Sequence, residues 1–282
     1  MDDNIIRILI STDNHLGFKD RDPIRGDDSY AAFEEVLCMA RKRKADFVLL
    51  AGDTFHDNKP QRRTMHASME LLRKYTYGHD ECYLEVMNPP DQKIVETPTG
   101  RPNFQDPCHA ISLPVFAIHG NHDEPTRDGG PKSLSALDLL SEANLINYFG
   151  KSERVDQIEI DPILIRKKDT RLAIYGLGAI SDERLNRMFE QTKVHFKRPL
   201  RKDYFHIFVV HQSADKGRGR KSCLHESMIP EWMDLVVWGN EHECRNELQE
   251  GFGGAETFRI IQPGSSVATS YNETESVSYP KY

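Results

Sequence analysis

The stretch FVLLAGDTFHD, residues 47–57, joins an apolar strand to a run of side chains that bind metals. Five apolar residues in succession, 47–51, predict a strand that is covered on both faces. Gly52 then begins a turn that carries Asp53 and His56. Carboxylate and imidazole groups at the carboxyl end of a strand are typical of ligand sites in α/β sheets. We therefore expect this stretch to form one part of a metal site.

Four other segments repeat the arrangement of an apolar strand followed by potential metal ligands. They are Asp13-Asn14-His15 after residues 5–11, Gly120-Asn121-His122-Asp123 after 114–118, His211-Gln212 after 204–210, and Gly239-Asn240-Glu241-His242 after 235–238. A single D-x-H or G-D motif is common by chance. Five such segments, each at the end of a strand, indicate one shared site.

Predicted helices alternate with the strands, which indicates a layered α/β fold with a sheet core. Apolar residues at helical spacing predict helices at 29–44, 61–75, 134–140 and 182–191, and further apolar runs predict strands at 145–149, 158–165, 171–175 and 257–262. Residues 76–112 are polar, contain five prolines and lack periodicity. A connection of that length is unusual, so we interpret it as a functional insertion.

Composition excludes several classes of protein. No run of eighteen apolar residues exists, so a membrane span is not expected. The acidic start argues against a secretory signal. The five cysteines are widely spaced without a C-x-x-C motif, which favours reduced thiols in an intracellular protein. The net charge of -7 counts mildly against a nucleic-acid partner, although bound metal ions add positive charge that this count omits.

The five segments predict a binuclear metal site that hydrolyses a phosphodiester. Two neighbouring divalent ions supply a strong nucleophile and neutralise phosphoryl charge. Asp53 suits the bridging position, and the remaining ligands divide into Asp13, His15 and His242 for one ion and Asn121 and His211 for the other. Nitrogen and oxygen ligands without thiolate favour Mn²⁺, Fe²⁺ or Zn²⁺. His122, beside Asn121, is the candidate general acid for the leaving oxygen.

The motifs resemble the calcineurin-like metallophosphoesterase superfamily and, within it, the DNA break-repair nucleases of the eukaryotic MRN (meiotic recombination–nibrin) complex. The resemblance rests on I-S-T-D-N-H-L-G-F, G-D-T-F-H-D-N-K-P, I-H-G-N-H-D, W-G-N-E-H-E-C and Q-P-G-S-S-V-A-T-S. It extends from Ile6 to about Ser270. It implies a four-layer α/β/β/α sandwich, with one nuclease domain over 1–270. It also implies a eukaryotic-type insertion near 76–112, and a polar tail, 271–282, that leads to a capping domain absent from this chain.

The resemblance implies roles for individual residues. One of two Mn²⁺ ions per subunit would be held by Asp13, His15, Asp53 and His242, and the other by Asp53, Asn121, His211 and the position of Asn240. His122 matches the catalytic histidine, and His56 matches a histidine that helps place the DNA strand.

The resemblance also implies an activity and partners. The family cuts DNA as a double-strand 3′-to-5′ exonuclease and a single-strand endonuclease in the nucleus. Its members form a homodimer that works with an SMC-like coiled-coil ATPase and nibrin. The helices at 61–75 and 133–141 resemble those of the family's dimer bundle, and 76–112 is a candidate part of the nibrin-facing surface.

Asn240 departs from the family pattern W-G-H-E-H, which has histidine at this position. An amide oxygen is a weaker ligand than imidazole, so we expect weaker binding of the second ion. Three functions stay open: an active Mn²⁺-dependent DNA nuclease, a DNA-end-binding scaffold with weakened catalysis, and a metallophosphatase acting on phosphoproteins or nucleotides. The block 262–270 disfavours the last.

Basic residues near the predicted site are candidates for contact with a phosphate backbone. Lys59, Arg62 and Arg63 follow the second metal segment, and Arg218 and Arg220 belong to the basic stretch 216–221 after His211. A solvated loop has the same composition, so both interpretations stay open. His119 is expected to support the ligands from behind instead of binding metal.

Overall fold

Two β-sheets pack face to face, and helices cover their outer faces. A computed structural model describes residues 4–127, 130–152, 154, 156–215, 222–251 and 257–270. In chain order the elements are β1 (Ile8–Ser11), α1 (Asp28–Lys42), β2 (Phe47–Ala51), α2 (Arg62–Thr76), β3 (Glu85–Val86), β4 (Val115–Ile118), α3 (Ala136–Glu142), β5 (Asn147–Tyr148), β6 (Ile158–Ile160), β7 (Ile163–Lys167), β8 (Thr170–Leu177), α4 (Asp182–Glu190), β9 (Val194–Phe196), β10 (Phe205–His211), β11 (Leu235–Gly239), β12 (Arg245–Glu250) and β13 (Arg259–Gln262). Short 3-10 helices lie at Asn103–Gln105 and Glu226–Met228.

The first sheet has the order β1-β2-β4-β5, and all its strands are parallel. The second has the order β12-β13-β11-β10-β8-β7-β3, in which β8, β10, β11 and β13 run parallel. The outer pairs of this sheet are antiparallel: β12 pairs with β13, β3 with β7, and β7 with β8. Strands β6 and β9 form a separate parallel pair.

Alternation along β2 shows why the layers form. Val48 and Leu50 point to α1 and α2, whereas Phe47 and Leu49 point into the space between the sheets. The same alternation in the second sheet sends Tyr175 toward the outer layer. The outer layer there includes α4, through Leu185 and Met188. The predicted four-layer α/β/β/α sandwich is confirmed.

The segment 76–112 is anchored in the core of the fold. Leu84 and Val95 are buried between the two sheets. Asn88 accepts a hydrogen bond from the Leu164 amide at 2.7 Å and donates to the Pro162 carbonyl at 2.8 Å. The polar residues of this segment therefore satisfy the backbone of neighbouring strands as well as facing solvent.

The prediction of one continuous strand over 158–165 is wrong. It divides into β6 and β7, which pair with different partners, β9 and β8. Pro162 lies at the division and has no N–H to donate to a continuous ladder. The sequence reading also missed β3, β9 and β12, which are short or polar.

Some of the predicted features lie in residues that the structure does not describe. The tail 271–282 and both Arg218 and Arg220 lie outside the described residues. In the described part of the chain, no helix is long and apolar enough to cross a membrane. The five cysteines are free thiols.

We predict that Asn147→Ala destabilises the fold by about 3 kcal/mol, because it leaves buried polar groups without partners. The Asn147 side chain accepts from the Asn103 amide at 2.6 Å and donates to the Asn103 side chain at 3.0 Å and the Val115 carbonyl at 3.1 Å. Urea unfolding of the variant measures the loss. The exposed Asn4→Ala change is the control, expected within about 0.5 kcal/mol. Equal stability of the two variants would contradict the role assigned to Asn147.

Candidate metal centre

The parallel strands of both sheets end at one common edge. Asp13 follows β1 and Asp53 follows β2, both in the first sheet, while His211 ends β10 in the second. The His211 Nδ1 donates to the Ala51 carbonyl at 2.7 Å, which joins the two sheets directly. Five segments that are far apart in sequence are therefore brought together as the strand pattern predicted.

Asp13, His15 and His242 form the first group of potential ligands. Their nearest nitrogen and carboxylate oxygen atoms all lie within 4.8 Å of one another. The two Nε2 atoms are 3.4 Å apart, and the Asp13 Oδ1 lies 3.5 Å from that of His242 and 3.8 Å from that of His15. Three potential ligand atoms that converge in this way can coordinate one cation.

Asp13, Asp53 and His211 form the second group, again within 4.8 Å. The His211 Nε2 lies 3.5 Å from the Asp53 Oδ2 and 3.2 Å from the Asn121 Oδ1. Asn121 therefore lies beside this group, as the sequence predicted.

Asp53 stands between the two groups. Its Oδ1 accepts a hydrogen bond from the His122 amide at 2.8 Å. Its Oδ2 faces the Nε2 atoms of both His15, at 3.9 Å, and His211, at 3.5 Å. One oxygen is thus held by the backbone, and the other is available to both groups, which suits a bridging ligand.

The backbone at the site is held in the left-handed region. Asp13, His15, Asp53 and Asn240 have φ values of 50°, 44°, 49° and 73°. This conformation is costly for residues other than glycine and persists where surrounding contacts impose it. Here the His15 backbone amide donates to the Asp53 carbonyl at 3.0 Å, and the Asp13 backbone amide donates to the Gly52 carbonyl at 3.1 Å.

Two glycines make room for ligands. Gly52 has a φ of +99°, and a Cβ there would lie 2.2 Å from the His211 Nδ1. A Cβ at Gly120 would lie 2.0 Å from the Asp53 Oδ1. Any side chain at either position would displace a proposed ligand.

The Asp13 Oδ1 is buried and has no hydrogen-bond partner within the described residues. The other oxygen, Oδ2, accepts from the Thr12 hydroxyl at 2.7 Å and from the Asn240 amide at 3.1 Å. A buried carboxylate oxygen without a partner is costly. Because His15 and His242 also point at this oxygen, a metal ion is the partner that fits the donor set.

The electrostatics of the site call for added positive charge. Burial raises the pKa of Asp13, and the nearby carboxylate of Asp53 raises it further, while His211 acts in the opposite direction. Burial alone would lower the pKa of His211, but Asp13 and Asp53 outweigh it and raise the value to about 9. Without a metal ion, a proton on His211 compensates the two carboxylates. Burial lowers the pKa of His15 to about 3, so this imidazole is neutral and able to ligate.

His56 and His122 stack beside the first group, with ring centroids 5.0 Å apart and planes at 23°. The His122 Nδ1 donates to the His56 carbonyl at 2.7 Å. This bond settles the tautomer and leaves the His122 Nε2 for another partner. Burial, followed by the effect of His122, lowers the pKa of His56.

Several supporting residues were not assigned roles from the sequence. The His242 Nδ1 contacts the Thr269 hydroxyl at 2.7 Å, and the Ser265 hydroxyl donates to the Asp13 carbonyl at 3.1 Å. Both belong to the block 262–270, whose motif was noted without a function. Asp123 accepts from the amides of Gly120 and Phe55 at 2.7 and 3.1 Å, and burial raises its pKa to about 7.

His119 lies behind the ligands. Its Nδ1 contacts the Tyr148 hydroxyl at 2.8 Å, and its Nε2 donates to the Ala179 carbonyl at 3.3 Å. Both ring nitrogens are therefore engaged away from the two ligand groups. This arrangement agrees with the supporting position expected from the sequence.

Asn240 lines a cavity of about 260 Å³ beside the second ligand group, together with Asn121 and His211. Its backbone amide donates a hydrogen bond to the Asp13 carboxylate at 3.1 Å. The side chain is therefore in the region where the resembling family has a histidine, and its amide oxygen is the group it can offer.

The predicted DNA-contacting residues differ in their surroundings. Arg62 is exposed on α2, and no hydrogen bond or ion pair is found for it within the described ranges. Arg63 pairs with Asp20 at 2.9 Å and with Asp27 at 2.6 Å. Lys59 precedes α2 and already has an interaction partner. Of the two arginines, Arg62 is the better placed for a phosphate.

Comparison with known proteins gives the family. The family model for calcineurin-like phosphoesterases matches residues 6–244. The chain is 45% identical over 285 residues to double-strand break repair protein MRE11 of Macaca fascicularis and 44% identical to that of Homo sapiens, covering 98% of this chain and 38% of each relative. It is 44% identical over 280 residues to double-strand break repair protein mus-23 of Neurospora crassa, covering 98% of this chain and 36% of that protein. The chain thus spans little more than a third of the length of these relatives. It belongs to the calcineurin-like phosphoesterase family.

Proposed function

We propose that this chain is a metal-dependent nuclease that hydrolyses DNA phosphodiesters in double-strand break repair. The carrying observation is the convergence of two ligand groups around Asp53, with a buried Asp13 oxygen that lacks a partner among the described residues. The names of the relatives supply the substrate class, since they are double-strand break repair proteins. The donor set of carboxylate, imidazole and amide without thiolate suits Mn²⁺, Fe²⁺ or Zn²⁺, and we propose Mn²⁺ because the resembling nucleases use it.

The residues divide the work between holding metals and handling protons. Two divalent ions, when bound, supply a strong nucleophile and neutralise phosphoryl charge. One ion would be held by Asp13, His15, Asp53 and His242, and the other by Asp53, Asn121, His211 and Asn240. Asp53 would therefore belong to both sets of ligands.

His122 is the proposed general acid. Because its Nδ1 proton is directed at the His56 carbonyl, the Nε2 is the atom that would carry a proton to the leaving oxygen. His56 stacks against it and limits the orientation of the ring. We propose that His56 also helps to place the DNA strand.

The main test is a cleavage assay on end-labelled duplex DNA and circular single-stranded DNA, with Mn²⁺, Mg²⁺ or a chelator. We expect 3′-to-5′ removal of nucleotides from the duplex and nicking of the circle, both dependent on Mn²⁺. A phosphoprotein substrate serves as the comparison. Hydrolysis of phosphoprotein in preference to DNA would support the phosphatase alternative and overturn the proposal.

We predict that His122→Asn lowers the rate of Mn²⁺-dependent cleavage by about 10²- to 10⁴-fold, the range for loss of a general acid. Asparagine keeps a donor near the position of Nδ1 but lacks the Nε2. Metal content by mass spectrometry should not change, because His122 binds no ion in this proposal. His66→Asn, an exposed histidine on α2, is the control. Unchanged cleavage in the His122 variant would remove this residue from the mechanism.

A DNA-end-binding scaffold with weakened catalysis is the second candidate function. The observation that favours it is Asn240, because an amide is a shorter and weaker ligand than the imidazole expected there. Both side chains are neutral, so the charge balance of the site is kept. Tight DNA binding without Mn²⁺-stimulated cleavage would identify the scaffold.

We predict that Asn240→His raises both the occupancy of the second metal site and the cleavage rate, by about tenfold or more. The cavity beside Asn121 and His211 is where the larger ring has to fit. Calorimetric titration with Mn²⁺ and the cleavage assay give the two readouts. Asn240→Gln, which lengthens the side chain but keeps the amide, is the matched control. An Asn240→His variant with unchanged metal binding and rate would show that this position does not limit the site.

We predict that Arg62→Ala weakens DNA binding more than Arg63→Ala does. The Arg63 guanidinium is already held by Asp20 and Asp27, whereas Arg62 is exposed. Loss of one phosphate contact should lower the slope of log affinity against log salt by about 1. Fluorescence anisotropy over a salt series measures it. A larger loss in the Arg63 variant would reverse this assignment.

The resemblance also supports proposals about assembly. We propose a homodimer through α2 and the helix around α3, an SMC-like coiled-coil ATPase as partner, and nibrin as a partner at the surface of 76–112. Exposed apolar side chains lie on both helices, namely Met69 and Leu139. DNA repair by such an assembly implies a nuclear location.

A further inference from the structure

A third group of metal-binding side chains lies outside the metal centre, in the connection between β10 and β11. Asp215, Cys223 and His225 place a carboxylate oxygen, a sulfur and a ring nitrogen within 4.8 Å of one another. The His225 Nδ1 lies 3.4 Å from the Asp215 Oδ2, and its Nε2 lies 3.7 Å from the Cys223 sulfur. Because an imidazole gives one nitrogen to an ion, binding of a single ion requires a small rotation of one side chain. We propose that this cluster is a separate site for one Zn²⁺ ion.

The chemistry of the three side chains favours zinc. Thiolate, imidazole and carboxylate are the ligand types that Zn²⁺ takes in proteins, whereas Mn²⁺ and Mg²⁺ prefer oxygen. One thiolate and one carboxylate bring two negative charges, which balance the ion. Zinc is tetrahedral, so three side chains leave a fourth position open. The Asp215 side chain is half-exposed, so water can reach the cluster and supply the fourth ligand.

Hydrogen bonds hold the backbone at Cys223 and Leu224. The Leu224 amide donates to the Ser213 carbonyl at 2.9 Å, which closes the connection on itself. The Asn186 side chain, from α4, donates to the Cys223 carbonyl at 2.7 Å. Cys223 is buried with 2% of its surface exposed, while His225 retains a path to solvent. These contacts keep Cys223 in place before any ion binds.

The surroundings of the sulfur argue against a reactive thiolate. Burial, and then the carboxylates of Asp215 and Asp182, raise the pKa of Cys223. The nearby Asp215 carboxylate also favours a cation beside the sulfur. Binding of Zn²⁺ would therefore displace the thiol proton.

The position of the cluster suggests what the ion does. The connection begins directly after His211, a ligand of the metal centre. Its next residue, Gln212, is held by the Trp238 ring N–H at 2.8 Å and donates to the Ile180 carbonyl at 2.9 Å. An ion at Asp215 and His225 would tie the far part of the connection to this anchored part. We assign to the ion the role of holding Asp215 and His225 together within this connection.

Cobalt spectroscopy tests the proposal, because Co²⁺ bound to a thiolate gives a charge-transfer absorption that nitrogen and oxygen ligands do not. The metal centre contains no cysteine among its proposed ligands, so the band reports on a cysteine site alone. We expect chelator-treated protein to develop the band as Co²⁺ is titrated in, with an intensity that corresponds to one thiolate-bound Co²⁺ per chain in addition to the Co²⁺ that the metal centre takes up. Added Zn²⁺ should abolish it by displacement.

Variants assign the band to the cluster. Cys223→Ser should remove it, and His225→Gln should weaken Co²⁺ binding at this site by about tenfold or more. Cys244→Ser, near His242, and Asp53→Asn, in the metal centre, should both keep it. Circular dichroism checks that each variant is folded, and the partly exposed His225 gives a second test if Cys223→Ser does not fold. No band, a band that survives His225→Gln unchanged, or one lost with Cys244→Ser or Asp53→Asn would overturn the proposal. None of these readouts depends on DNA cleavage, so failure here and failure of the nuclease proposal are distinguishable.

Discussion

The structure depends on keeping two carboxylates, Asp13 and Asp53, buried side by side at the edge where the two sheets meet. Removing anions from water is expensive, and placing two of them together adds repulsion. Backbone amides and the Thr12 hydroxyl satisfy part of this demand. The Asp13 Oδ1 has no hydrogen-bond partner in the part of the chain that the structure describes, and a cation would satisfy it together with the imidazoles of His15 and His242.

The cost of this arrangement extends into the backbone. Four residues at the site adopt left-handed φ values, and glycines stand where any Cβ would collide with a ligand. Such conformations persist only when rigid elements impose them. The sandwich does so in two ways. Its sheets are joined directly by the bond from His211 to Ala51, and Ser265 and Thr269 fasten the last strand's extension to the ligands.

Asn240 shows how a change can preserve charge and still alter chemistry. The Asn240 backbone amide donates a hydrogen bond to the Asp13 carboxylate. In our proposal only the Asn240 side chain departs from the family pattern, and the departure would affect only the second ligand group. Fold and first group can therefore remain intact while the strength of the second group falls, which is why nuclease and scaffold are separable by experiment.

Much of the fold and the site was predictable because the signals are local. Apolar runs predict β2 and β10 well, and polar side chains directly after them predict the ligands. Elements such as β3 and β9 were missed because two- and three-residue strands have no periodicity to detect. Pro162 divided a run that hydrophobicity alone made continuous.

The sequence by itself therefore determined the layered α/β class, the strand ends and the side chains that we propose as ligands, since each depends on neighbours in the chain. Only the tertiary structure decided which Asp53 oxygen faces His15 and His211, that Arg63 is held by Asp20 and Asp27, and that Asp215 meets Cys223 and His225. Those facts depend on distances between residues remote in sequence, and packing alone sets such distances.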